Sequence, residues 1–104
     1  MSSKFQEFER RLEEAHQMSD ELAPQWVGHP VLVKAVDMYA FLGRDFHPEP
    51  EDKGSVGIVI DVYVDCYIKE KMIPQHHEDF YFVLLVQLKD KVVEFMNHEV
   101  IRIS

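Results

Sequence analysis

Two short stretches carry the side chains with which this chain could do chemistry. Residues 74–82 read PQHHEDFYF and set His76, His77, Glu78 and Asp79 side by side, while Phe46-His47-Pro48-Glu49-Pro50-Glu51-Asp52 supplies another histidine and three carboxylates. Neutral imidazole and carboxylate are the usual ligands of zinc and related ions, so His47, His76, His77 and Asp79 are the candidate ligands for one divalent metal ion. Neighbouring histidines on a strand point to opposite faces, which makes His77 and Asp79, two residues apart, the better pair. His98-Glu99 is a third histidine–carboxylate neighbour pair. No HExxH, CxxC or EF-hand spacing accompanies these residues, and polar residues between two strands are more often a solvated turn. The expectation is no cofactor, with a metal-binding protein or metal-dependent enzyme as the alternative.

Nucleophilic catalysis finds less support. Cys66 falls on the inward positions of a long strand pattern, where a thiol is usually an inert small hydrophobe, and Ser55 lacks a GxSxG context. Gly54-Ser55-Val56-Gly57 has neither the lysine nor the following helix of a phosphate loop. The chain is not expected to be an enzyme.

The same residues fit a binding surface better. Gly43–Gly54 is the longest connection, punctuated by glycine and proline, and loops on rigid scaffolds carry much of the function of small domains. Phe46 is an aromatic with no evident core partner inside that loop, or else a plug folded back onto the sheet. With His47, Glu49, Glu51 and Asp52, and the second loop of His76, His77, Glu78 and Asp79, it makes a surface suited to a basic protein or peptide. Tyr63, Tyr67 and Tyr81, with Asp61 or Asp65 nearby, would suit an aromatic cage for a cationic side chain if the N-terminal helix does not cover them.

Composition narrows the field further. The 104 residues suffice for a single domain, 1–104, and 46% hydrophobic content argues against disorder. Eleven basic against 19 acidic residues give a net charge of −8, which repels phosphate backbones, so nucleic acid is not an expected partner. One cysteine leaves no internal disulfide and fits a reducing, cytoplasmic setting. The charged N-terminus is unlike a signal peptide, and no apolar run is long enough to cross a membrane.

The elements that must position these residues are one helix and about five strands. Ser3 and Gln6 have capping-box spacing, and Phe5, Phe8, Leu12, Ala15 and Leu22 form one face. Pro24 predicts an end near Leu22, so the helix spans 3–22. Its stripe is expected to cover one face of the sheet; it also fits a and d heptad positions apart from Ser19, so a structural subunit dimerising through this helix is a further alternative. Monomer and homodimer both stay open.

Val31, Val33 and Ala35 give a first strand. Val56, Ile58, Ile60, Val62, Val64, Cys66 and Ile68 occupy every even position of a second, predicting a dry even face throughout. Phe80–Leu88 is apolar at both parities and reads as a central strand covered on both sides. Val92–Met96 folds back after Lys89-Asp90-Lys91, and Val100–Ile103 closes the chain.

With the opening Val27-Gly28-His29-Pro30-Val31 and the stretch Gly54-Ser55-Val56-Gly57-Ile58-Val59, residues 27–103 resemble an SH3-like small β-barrel of the broad kind that includes Tudor and KOW modules. The resemblance implies a mainly β fold with one N-terminal α-helix and about five antiparallel strands. It also implies binding of peptides, modified side chains or nucleic acids. KOW-type nucleic-acid binding goes with basic surface, from which this chain departs. The competing architecture is α+β, an open antiparallel sheet with the helix on one face. The sequence reading is thus a non-catalytic module recognising a basic partner.

Overall fold

The computed structural model describes residues 3–37, 46–64 and 81–103. In chain order they form helix α1 (Ser3–Trp26), β1 (Pro30–Val33), a 3-10 turn (Pro50–Asp52), β2 (Val56–Tyr63), β3 (Val83–Gln87), β4 (Val92–Met96), a second 3-10 turn (Asn97–Glu99) and β5 (Val100–Arg102). The strands make one antiparallel sheet in the order β4-β3-β2-β1-β5.

The helix runs through Pro24 to Trp26, about a turn past the expected end at Leu22. Proline removes one backbone donor, but Val27 N–H still reaches the Ala23 carbonyl at 2.8 Å, and Trp26 is held edge-on against Phe82, ring centroids 5.7 Å apart. The Arg102 guanidinium lies 5.9 Å from the Trp26 ring and donates to the Gln25 carbonyl. Tertiary packing of the last turn therefore outweighs the local cost of the proline. Gly28, with φ +86°, then turns the chain into β1 while its N–H bonds Val59 O.

Only the second half of the expected stripe meets the sheet. Ala15 is fully buried and Met18, Leu22 and Trp26 pack beside it, whereas Phe5, Phe8 and Leu12 are exposed. Ser19, the residue that interrupts the heptad, docks the helix: its hydroxyl donates to Ala15 O at 2.9 Å and accepts Val64 N–H at 2.7 Å. The helix covers the face bearing Val59, Val62, Val64, Phe82, Leu84, Val86 and Leu88, which is the even face of β3. This inner face is the core.

Within β2 the expected even-numbered dry face holds only in part. Val56, Ile58 and Ile60 point outward, and Gly57 and Val59 are buried. The register shifts between Val59 and Asp61, so one extra residue reverses the phase, and Val62 and Val64 turn inward. β3 is closer to expectation, with Phe82, Leu84, Val86 and Leu88 buried on one side and Val83 on the other.

The sheet does not close into a barrel, so the SH3-like expectation is corrected to its open α+β alternative. β4 and β5 lie at opposite edges, and no ladder joins them among the described residues. Yet only three residues separate them. From Met96 to Val100 the chain spans at most about 14 Å, while the edges of a flat five-stranded sheet would stand roughly 19 Å apart. The sheet must therefore be strongly coiled, and the β2 bulge is a local source of that bend.

What ties the corner is a carboxylate in place of a ladder. Glu99, fully buried, accepts Met96 N–H and Asp37 N–H, each at 2.7 Å, while its carbonyl takes the N–H groups of Lys34 and Ala35. No helix among the described residues is long and apolar enough to cross a membrane.

Candidate functional site

The described part of the acidic loop is anchored at both ends. At its start, Phe46 lies along the outer edge of β4: its carbonyl accepts Glu94 N–H at 2.9 Å and its N–H donates to Glu94 Oε1 at 3.3 Å. At its finish, Gly54 (φ +92°) donates to Val33 O, and Val33 N–H returns to Ser55 O. Between them Pro48 is buried, and a capping box closes around Pro50: Glu49 N–H donates to Asp52 Oδ2 at 2.8 Å and Asp52 N–H to Glu49 O at 2.9 Å. Proline at the first position of the turn gives up a donor that would have had no partner.

This local chemistry divides the candidate residues. Asp52 is buried, and its Oδ1 meets Lys91 Nζ at 2.9 Å in the turn between β3 and β4. The hydrogen bond that Lys91 donates to Asp52 outweighs the opposing desolvation and, with the negative charges of Asp52, Glu49 and Glu51, holds the Lys91 ammonium above its ordinary pKa. Asp52 is thus a fastening residue, whereas Phe46, His47, Glu49 and Glu51 are on the surface. The Phe46 side chain is 53% exposed although its backbone is bonded in both directions, so it is presented outward and does not plug the sheet.

Glu94 was not singled out by its residue type, although a lone acid inside the apolar run Val92–Met96 is a readable signal. It is buried, and beside the Phe46 N–H it accepts a hydrogen bond from the Tyr63 hydroxyl. Tyr63 therefore serves the loop anchor. Tyr81 stands edge-on to His98 at 5.5 Å, and His98 Nε2 is 2.9 Å from Asp37 Oδ2. The carboxylate of Glu99, its sequence neighbour, is engaged by two backbone N–H groups, so the His98-Glu99 pair does not present two converging ligands.

Among the described residues no three His, Cys, Asp or Glu side chains gather to hold a metal ion. His76, His77, Glu78 and Asp79 lie outside the described residues, as do Cys66, Tyr67 and Asp65. The structure therefore anchors the loop residues Phe46, Glu49, Glu51 and Asp52 through Lys91, Glu94 and Tyr63 of the neighbouring sheet. No protein-family model, no curated protein and no solved structure matches this chain.

Proposed function

We propose that the protein is a non-catalytic binding module that captures a basic peptide segment on its 46–52 loop. The observation that carries this reading is Phe46, whose ring is half exposed while its backbone is fixed to Glu94 on both its N–H and C=O. A ring held this way loses little entropy on binding, and its face attracts a guanidinium or ammonium group. Glu49 and Glu51, exposed in the adjoining turn, supply the carboxylates for that cation. The net charge of −8 adds long-range attraction for a basic partner, and the single cysteine supports a reducing, cytoplasmic place of action.

The test is fluorescence anisotropy with labelled arginine-rich and lysine-rich peptides against an acidic peptide of equal length. Wild-type protein is expected to bind the basic probes and release them as salt is raised. Phe46→Ala and the pair Glu49→Gln, Glu51→Gln should each weaken binding by about tenfold. Absence of binding to either basic probe, or equal binding by the variants, overturns the reading.

A further inference from the structure

We propose that the outer face of the β5-β1-β2 half of the sheet is a homodimer interface, which packs against the same face of a second copy across a two-fold axis. An antiparallel sheet with one face on the core normally turns a polar face to water. Here the reverse is found. Val56, Ile58, Ile60, Ile101 and Ile103 are each between 43% and 54% exposed, and Leu32 is half-buried among them.

The register makes these side chains one patch. Leu32 stands opposite Val56 on one side and Ile101 on the other; Pro30 stands opposite Ile58, and its carbonyl accepts Ile103 N–H. Residues opposite one another in a ladder share a face, so three strands contribute two complete apolar rows, with Ile60 beyond them. Five aliphatic side chains about half exposed amount to roughly 400 Å², within the range where a monomer's largest apolar patch is commonly functional. Two such faces opposed, with their polar rims, reach the roughly 1,200 Å² at which stable interfaces begin.

The charges at the rim select a second copy as the occupant. Lys34 follows Leu32 by two residues at one end of the patch, with Lys53 next to Gly54 beside it, and Asp61 lies beyond Ile60 at the other end; all three are exposed. A two-fold axis through the middle of the patch sets Lys34 over Asp61 of the second copy, and the symmetry repeats the pair. One face thus carries both halves of its own complement. This surface is separate from the 46–52 loop and its salt response is opposite. Two bodies of charge −8 repel, so added salt should strengthen an association driven by apolar burial, while it weakens capture of a basic peptide.

Sedimentation equilibrium of the full chain over the micromolar range, at low and high salt, tests the proposal. Wild type should be a dimer that tightens with salt. Ile58→Lys, at the centre of the patch and exposed in the monomer, should be monomeric at every concentration, with the melting profile of wild type diluted to its monomer. Lys34→Glu should weaken the dimer about tenfold, and Lys34→Glu combined with Asp61→Lys should restore it. A wild-type monomer throughout overturns the proposal, as does a dimer that survives Ile58→Lys. A dimer split instead by Phe8→Lys puts the contact on the helix and also overturns it. Failure of the double variant to recover rejects the two-fold arrangement.

Discussion

The outer face of the sheet has two halves that differ in chemistry and in cover. On the β5-β1-β2 side it is aliphatic and open to solvent; on the β3-β4 side Glu94 and Met96 are buried, and Glu94 is bonded to Phe46 and Tyr63. The boundary runs through β2 at the register shift between Val59 and Asp61. Before it, large residues point out and Gly57 and Val59 point in. After it, Asp61 and Tyr63 point out and Val62 and Val64 point in. Apolar content therefore does not identify the buried face of this strand, because one inserted residue exchanges the faces midway.

The sharpest way to break that comparison is to place a charge on each side of the shift. Val62 is 3% exposed and faces the helix, so Val62→Asp buries a carboxylate with no partner and should cost on the order of 3–5 kcal/mol. Ile60→Asp, only two residues earlier, puts the same carboxylate into water and should change the stability of the folded monomer by no more than about 0.5 kcal/mol. Chemical denaturation of both variants decides it. Similar losses would mean that the phase does not reverse.

Sequence reasoning reached the number of elements, their order and the two-sided burial at the start of β3, because Phe82, Val83 and Leu84 are apolar at both parities and all buried. It also reached Gly54 as the end of the long connection, where its positive φ angle fits. It could not reach the β2 bulge, since Val56, Ile58 and Ile60 are as apolar as Val62 and Val64 and hydropathy alone carries no mark of the inserted residue. The helix end past Pro24 depends on Trp26 meeting Phe82, more than fifty residues away. Likewise the open corner rests on Glu99, whose two N–H donors come from Met96 and Asp37. Of the candidate site, Phe46, Glu49 and Glu51 were legible as loop residues, but Asp52 reads as one more acid until Lys91 is seen against it.

A smaller effect should follow from closing the tight approach at the start of β2. A Cβ added to Gly57 would stand 2.6 Å from Val86 Cγ1, 2.7 Å from the Gln87 carbonyl oxygen and 2.8 Å from Leu88 Cδ2. The side chains can shift, but the carbonyl belongs to the paired strand. Gly57→Ala is expected to destabilise by about 1–3 kcal/mol, in spite of the entropy an alanine saves in the unfolded chain. Val56→Ala, one residue earlier on the outer face, should leave the melting temperature of the dilute, monomeric chain almost unchanged. Equal effects would mean that the inner face before the bulge is looser than the distances state.

The smallest effect belongs to the covered half. Lys91 holds Asp52, and through it the turn that carries Glu49 and Glu51, but its own side chain is 38% exposed and screened by solvent. Lys91→Met should therefore cost no more than about 1 kcal/mol at neutral pH. The sign with pH follows from the raised pKa of Lys91. A group that binds its proton more tightly when folded adds stability that is complete below its unfolded value, about 10.4, and disappears as pH rises through the higher folded value. The gap between wild type and Lys91→Met should accordingly close in strongly alkaline solution, as read by urea denaturation at a series of pH values. A gap that persists there would assign the effect to packing of the lysine stem and leave the ion pair with no measurable part in holding the loop.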